Sequence, residues 1–596
     1  MRRFTMKRWN KRLVMLAAAI LLMTAGTLLN VAISTNGGNV KVRRVTYSDS
    51  YGNMVSGILY IPRTATRETP APAVLTNHGG GASAEAQSSY NVELARRGYV
   101  VLSWDASNSG SSEASPDETH GGEASYAFLQ SVDYVQKDQL ITSGHSMGGV
   151  YSFMVAGNHP DHVKAEIAVG MNPGMNDTEN FHTNYVCIIG KHDESNLVRS
   201  DGNILNTAHN ELYHNFFGLS DDETLEVGTL YGSFEEGTAR IFYMPNSSHA
   251  GAMVNRELLA QYLETVMTAT TAPNPITASD QVWMFKDIGM IIQFSGLILL
   301  LFASASLLLC TKLFSALILP ARRPVGFQRN SLMWWISILL LLFLPAVLFI
   351  PGTTLAQKFD VTSILKLDNT ANGFALWSLV TACIVLLLFL LYHYLYGKKV
   401  GGNLMTYGLS TAENENRVHI AYILKALLFA CCIVGITYAA YLLMYYITGG
   451  DIHIWLASIR PVTYIRMPYY PVYFFLQIPF FLFSTLAGRS ISLNNGERTK
   501  GSGMRNSMIL SLLFGVLGLG LLFLVFNIVF RTTGTVLFPK NRGYIYAGAI
   551  FSMIPAFAVS NTINCYITNK TNSIYAGLFS AVMWSTWIMT AANAIA

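Results

Sequence analysis

Gly144-His145-Ser146-Met147-Gly148-Gly149 is the stretch that decides the fold of the first half of the chain. It follows Gln139-Leu140-Ile141-Thr142-Ser143, an apolar run that reads as a short strand, and precedes Val150–Ala156, which reads as a buried helix. Gly-x-Ser-x-Gly between a strand and a helix is a nucleophile elbow. The turn is so tight that the flanking positions need glycine, and the serine is held in a strained, exposed pose above a sheet. The N–H of Met147 and the helix N-terminus can there stabilise an oxyanion. The five-residue pattern also recurs by chance in glycine-rich chains, where Ser146 would be an ordinary turn serine, so its partners have to be found elsewhere.

An elbow serine needs a base, an acid that orients the base, and a second oxyanion donor. In sheets built around such an elbow the order is Ser, then Asp or Glu, then His. The strand-like run Tyr185–Ile189 ends in Gly190-Lys191-His192-Asp193-Glu194, and Arg240–Tyr243 is followed by Met244-Pro245-Asn246-Ser247-Ser248-His249. Asp193 would fix the tautomer of His249, and His249 would take the proton of Ser146; Glu194 is the rival acid. His78-Gly79-Gly80-Gly81 follows the strand-like Ala73–Thr76, and its glycines let the backbone of Gly79 or Gly80 approach a substrate oxygen. His145 reads as packing beside the nucleophile, and His192 as a loop residue. His159-x-x-His162 lacks a carboxylate–histidine set around it, so neither a metal nor a cofactor is expected. His120 either lines the site or closes a loop. The stretch 200–237, between acid and histidine, carries Phe216, Phe217, Leu219, Leu225, Leu230, Tyr231 and Phe234, a pattern open to a lid or to added core.

Further strand-like runs at Val40–Tyr47, Val55–Ile61, Tyr99–Trp104 and Ala165–Val169 alternate with helical stretches. The expectation is an α/β fold: a mainly parallel sheet covered by helices on both faces, with the first two strands as an antiparallel edge. With the elbow, the two loops and His78–Gly81 in place, residues of about 40–270 resemble the α/β-hydrolase superfamily, and within it the dienelactone hydrolase and prolyl-oligopeptidase-like esterase branch. The likeness extends through Arg96-Arg97-Gly98-Tyr99-Val100-Val101-Leu102 to Asp105 and Gly110-x-Ser112, although Ser107 and Asn108 stand where relatives carry Arg and Gly. The resemblance implies a serine hydrolase that needs no metal.

The rest of the chain is of another kind. Of 596 residues 51% are hydrophobic and 13% charged, and the apolar excess lies beyond Trp283. Eight spans are expected at about 288–311, 331–350, 373–396, 418–447, 469–487, 507–530, 543–566 and 574–596, after a Thr/Ala/Pro-rich linker at 268–278. At the other end Arg2, Arg3, Lys7, Arg8, Lys11 and Arg12 precede an apolar run at 13–33, too long for an ordinary signal-peptide core, which reads as an uncleaved anchor. Residues 1–12 would then be cytoplasmic, 34–275 an extracytoplasmic hydrolase domain, and 288–596 an all-α polytopic bundle. The loops agree in direction. Lys312, Arg322, Arg323, Arg329, Lys398, Lys399, Arg417, Arg489, Arg498, Lys500, Arg505 and Lys570 fall inside; Lys286, Lys358, Lys366, Arg460, Arg466, Arg531, Lys540 and Arg542 fall outside. A formal charge of +5 makes no case for nucleic acid. Of six cysteines only Cys187 lies in the polar half, so no disulfide framework can form there.

The expected activity is that of a multi-pass cell-membrane serine esterase acting on a small-molecule or lipid-like acyl ester, with membrane lipids around it. A peptidase is the rival within enzymes. A transporter or sensor whose soluble domain binds the ligand is the rival from another class. Lys425, His393, Asn527, Asn561 and Asn564, in or near the spans, are the polar residues such a pathway would use.

Overall fold

The computed structural model describes residues 2–173, 181–199, 206, 209, 211–220, 223–321, 325–328, 330–411, 416–454, 457–492 and 501–596. Arg322, Arg323, Arg329, Arg498 and Lys500, counted above among the inner loops, and part of the stretch 200–237 lie outside the described residues. A long helix, α1 (Arg2–Ser34), leads into the hairpin β1 (Val40–Ser48) and β2 (Met54–Pro62). There follow β3 (Ala71–Asn77), α2 (Ser88–Arg96), β4 (Val100–Trp104), α3 (Gly122–Ser131), β5 (Val135–His145) and α4 (Met147–Asn158). Then come β6 (Val163–Val169), β7 (Asn184–Ile188), α5 (Glu211–Phe217), β8 (Leu230–Tyr231), β9 (Arg240–Tyr243) and α6 (Arg256–Ala269).

The nine strands make one sheet in the order β1-β2-β4-β3-β5-β6-β7-β9-β8. Pairings β1–β2, β2–β4 and β8–β9 are antiparallel and the others parallel. Every residue of β3 and β4 is buried, as an unbroken apolar run in a sheet covered on both faces requires. On one face Tyr90 of α2 and Leu258 and Tyr262 of α6 close over Val74, Val101 and Ile141. On the other, Leu129 of α3, Phe153 of α4 and Phe216 of α5 close over Leu75, Leu102 and Tyr185. The second antiparallel edge, β8, is not legible in the sequence, because two residues are too few to show an alternation. The described aromatics of the 200–237 stretch go mainly into core: Phe216 and Phe217 are buried, packed with Phe153, Phe181, Tyr185 and Tyr231.

Glu166, on β6, is buried beneath the elbow, where the hydroxyls of Thr142 and Ser152 donate to it. Burial pushes its carboxyl from 4.5 up to about 8, with the two hydroxyl bonds pulling the other way. Between those two values the folded chain holds a proton that the unfolded chain has released. Stability from this group is therefore complete below about pH 4.5 and falls by up to about 1.4 kcal/mol per pH unit until about pH 8. The melting temperature of the full chain in detergent is expected to drop across that window, and Glu166→Gln to flatten the drop. Parallel curves for the two proteins would refute it.

The helical region comprises α7 (Trp283–Leu308), α8 (Leu332–Val347), α9 (Phe349–Thr353), α10 (Leu355–Phe359), α11 (Asn369–Leu395) and α12 (Ile420–Thr448). A small hairpin, β10 (Ile452–Ile454) and β11 (Ala457–Ile459), precedes α13 (Tyr470–Ser492), α14 (Gly501–Thr533), α15 (Gly543–Thr571) and α16 (Tyr575–Ala592). Among the described residues seven helices are long and apolar enough to cross a membrane: α1, α7 and α11 to α15. Helices α8 and α9–α10 pass the same test only together, as a broken span or a re-entrant loop bent by 43° next to Pro351, which has no N–H to give the Val347 carbonyl. The last expected span forms α16, which is not among them. Its Trp584, Trp587, Thr586 and Thr590 are buried, so this helix faces other helices and needs no lipid-facing apolar surface.

Helix α1 packs lengthwise on α7 through small residues. A Cβ on Gly26 would lie 2.5 Å from the Gly289 carbonyl oxygen, and one on Gly296 would lie 2.7 Å from the Met23 nitrogen. The stretch read as a linker is pinned. Buried Arg97 donates to the carbonyls of Ile276, Thr277 and Asp280, and also to Glu93.

The loops at one end of the bundle are locked to the sheet region. Arg466, 1% exposed, donates to the carbonyls of Asn108, Gly110 and Asn593. Arg460 donates to Asp451, to the Ala82 carbonyl and to the Ala592 carbonyl. Asn108, standing where relatives carry glycine, adopts φ 64°, a left-handed conformation that asparagine tolerates. Gly110, at φ 50°, has no such latitude: a Cβ there would lie 2.1 Å from the Asp105 carboxylate. At the opposite end of the bundle the loops pack on one another, with Leu319 N–H on the Thr571 carbonyl and Ile574 N–H on the Gly408 carbonyl. Of the polar residues singled out in or near the spans, His393 bonds the Tyr407 hydroxyl, Asn527 the Phe523 carbonyl of its own helix, and Asn564 of α15 the Thr485 hydroxyl of α13.

Candidate active site

Ser146 sits between β5 and α4 with φ 55° and ψ −122°, a strained conformation for a residue with a side chain. The neighbouring glycines allow it. A Cβ on Gly144 would lie 2.1 Å from the Gly148 backbone, and one on Gly148 would lie 2.6 Å from the carbonyls of Asn77 and His78. Ser146 N–H donates to the Val169 carbonyl at 2.8 Å and the Ser146 carbonyl accepts from Gly149 at 2.9 Å, which fixes the turn at both sides.

Asp193 follows β7 and His249 follows β9, so both stand in loops at the same edge of the sheet as Ser146. His249 Nδ1 lies 2.9 Å from both Asp193 oxygens. A carboxylate only accepts, so Nδ1 carries the proton and Nε2 is left as an acceptor. Asp193, 1% exposed, also accepts from the N–H groups of Ser195 and Asn196 at 3.0 and 3.2 Å. Glu194 bonds elsewhere, its carboxylate accepting the His249 backbone N–H at 3.3 Å. One acid holds the ring and the next holds the chain.

Burial by itself would lower the His249 pKa; the charge and hydrogen bond of Asp193, with the charge of Glu194, outweigh it, and the net shift is upward. Burial pushes the Glu194 carboxyl up, partly offset by His249. His145 donates from Nε2 to the His249 carbonyl at 2.9 Å, tying the elbow to the histidine loop, and burial first, then His249, bring its pKa down to about 3. No hydrogen bond joins Ser146 to His249 among the described residues, but both line one cavity of about 580 Å³.

Met147 opens α4 and is 41% exposed at the mouth of that cavity. Gly79 lies against the elbow, since a Cβ there would be 2.9 Å from His145 Nδ1 and 3.2 Å from Ser146 Cβ; Gly80 faces the Met147 side chain. His78 shapes this turn from within: its Nδ1 donates to the Gly79 carbonyl, and its Nε2 accepts the Ala106 N–H at 3.0 Å. His120 stacks on Tyr151, with ring centres 4.3 Å apart. His159 is paired with Glu123 and His162 with the Tyr126 hydroxyl. His192 is half-buried, and its pKa is lowered by burial and then by Arg531.

Three features of the site escape a reading of the sequence. Gly170, at φ 63°, lies under the acid–histidine pair, where a Cβ would be 3.1 Å from His249 Nδ1 and 3.2 Å from Asp193. A glycine directly after the strand Ala165–Val169 is the signal that could have found it. Asn196 ties the acid loop to the Gly170 carbonyl at 3.2 Å. The third is the far wall of the cavity, built by Asp368, Arg460 and residues of α11, α13, α15 and α16. Asp368 is legible as the N-cap of α11, accepting the Ala371 N–H at 2.9 Å, but nothing in the chain places it beside Gly81.

Residues 72–186 match the family model described as alpha/beta hydrolase fold. A protein of Mycobacterium phage D29, named for a non-heme haloperoxidase, is 31% identical over 117 residues, which make up 20% of this chain and 42% of that protein. The chain therefore matches less than half the length of this relative. Among solved structures, an esterase from the archaeon Pyrobaculum calidifontis is 15% identical, with 44% of this chain and 90% of that one covered and a TM-score of 0.29. A dienelactone hydrolase from Anabaena variabilis is 16% identical, with 39% and 98% covered and a TM-score of 0.27. With its sheet order, its elbow and the family match, the region from β1 to α6 has the α/β-hydrolase fold, followed by a region of apolar helices.

Proposed function

We propose that the chain is a membrane-embedded serine hydrolase that cleaves acyl esters at Ser146. The observation that carries this reading is the bond of Asp193 to His249 Nδ1, which leaves Nε2 free in the cavity that Ser146 enters. Ser146 Oγ adds to the ester carbonyl carbon while His249 Nε2 takes the hydroxyl proton, and the carbonyl oxygen becomes an oxyanion beside Met147 and the Gly79–Gly80 turn. Collapse breaks the C–O bond, and the alcohol leaves with the proton from His249. Water then repeats the sequence on the acyl-serine, losing its proton to His249, and releases the acid and Ser146. The donors next to the oxyanion act in a site partly closed to water, where each is worth roughly 3–4 kcal/mol of transition-state stabilisation. His249 must start neutral, so kcat/KM is expected to rise with pH through a pKa raised from the ordinary histidine value of 6.5.

In this reading α1 stays attached, supported by its glycine-mediated packing on α7, and the hydrolase region faces away from the cytoplasm. The basic cluster before α1 and the inner-loop lysines support that orientation. One experiment tests both chemistry and side: a membrane-impermeant fluorophosphonate applied to intact cells expressing the full chain. Labelling of intact cells is expected. Labelling only after lysis would reverse the orientation, and no labelling in either condition would remove the serine hydrolase reading.

A further inference from the structure

The cavity that holds Ser146 and His249 runs on from the sheet region into the helical bundle. Its hydrolase end is polar, with Asp368 3.5 Å from a Cβ position on Gly81 and Arg460 bonded to the Ala82 carbonyl. Its walls within the bundle are mostly apolar: Phe374 and Ala375 of α11, Ala549 and Met553 of α15, Ile588 and Met589 of α16. Two of the serines there are turned back on their own helices, Ser378 donating to the Ala375 carbonyl and Ser552 to the Ala549 carbonyl, each at 2.7 Å. Gln477 lies 3.5 Å from the Met589 sulfur. Deepest on α15 is Phe557, packed with Phe480 of α13 and, edge-on, with Trp377 of α11, which makes an aromatic floor.

We infer that this cavity takes the hydrocarbon chain of an amphiphilic ester, with the ester group at Ser146 and the chain directed into the bundle as far as Phe557. The inference rests on the serine hydrolase reading above and adds the substrate class to it. The mouth of α15 lies at the site, since a Cβ on Gly548 would come 3.3 Å from Glu194. Gly548 and Phe557 are about 13.5 Å apart along the helix axis, the length of an extended chain of about 11 carbons. The volume, about 580 Å³, lies inside the range of about 300–1,000 Å³ usual for pockets that enclose a ligand. A chain of this kind satisfies an apolar wall, and the polar mouth accommodates the ester and its head. A small polar ester would leave the wall uncovered. The bundle thereby acts as a ruler for chain length.

The test is a chain-length profile of the full chain in lipid nanodiscs. One series is p-nitrophenyl esters with acyl chains of two to sixteen carbons; the other is alkyl acetates with the same chains on the alcohol. In at least one series kcat/KM is expected to rise by about tenfold or more towards 10–12 carbons and to fall beyond, and the series that responds assigns the chain to the acyl or the alcohol half. Ala556→Phe, near the floor, should shift the optimum to shorter chains, and Ala549→Phe, nearer the mouth, should shift it further. A general loss of fold cannot produce that graded order. If Ala549→Phe fails to insert, Ala549→Leu takes its place. Profiles that are flat in both series, or substitutions that scale every chain length alike, overturn the inference while leaving the hydrolase reading intact. Absence of Ser146-dependent turnover at any length means that the hydrolase reading itself has failed.

Discussion

Ser146→Ala is expected to abolish fluorophosphonate labelling and to lower ester turnover by at least about 10⁴-fold, while the protein remains folded and inserted. The size of the effect follows from the chemistry: without Oγ no acyl-enzyme forms, and only the oxyanion donors and binding remain. Folding should survive because alanine removes one half-buried hydroxyl, whereas the backbone bonds of the turn, to Val169 and from Gly149, do not use the side chain. Turnover that persists in this variant would mean that another nucleophile operates. The matching loss at Gly144 would be uninformative, since a Cβ placed 2.1 Å from the Gly148 backbone would dismantle the elbow.

The second large effect is expected at the acid, and it separates two adjacent carboxylates. Asp193→Asn should cost about 10³–10⁴-fold in kcat, because the amide NH2 can donate to Nδ1 and so favours the wrong tautomer, and because its lost charge no longer stabilises the imidazolium. Glu194→Gln should cost little at the pH plateau, since a glutamine oxygen can still accept the His249 N–H. Its signature is a displaced acid limb. Glu194 helps to raise the His249 pKa, so removing its charge should move the limb of kcat/KM to lower pH. Measuring full pH profiles for both variants checks this. A collapse of kcat in Glu194→Gln, with Asp193→Asn spared, would exchange the two roles.

The parts of the molecule that are legible in the sequence are those governed by short-range rules. Elbow glycines, the apolar runs of β3 to β7 and the loops after β7 and β9 lie within a few residues of the pattern that reveals them. So do the long apolar helices. What cannot be read depends on residues far apart in the chain. Arg460 reaches the Ala82 carbonyl across 378 positions, and Asp368 meets the turn at Gly81 only because α11 begins there. Helix α16 reads as a span in the sequence, yet its tryptophans, serines and threonines are buried among other helices and beside the cavity that Ile588 and Met589 line. The aromatics of 200–237 carry a lid-like composition, but the rings of Phe216 and Phe217 are buried in the aromatic cluster around Phe153.

Arg466 has a consequence for how the molecule comes apart. Its guanidinium is buried and bonded to backbone carbonyls of both regions, Asn108 and Gly110 on one side and Asn593 on the other, with the Thr463 hydroxyl beside them. Separating the regions would break its bonds to Asn108 and Gly110, and a hydrogen bond to a charged group contributes about 1.5–3 kcal/mol. Sheet and helices are therefore expected to melt together, the catalytic loops losing their shape in the same step in which the bundle lets go of them; separate transitions in calorimetry would refute it.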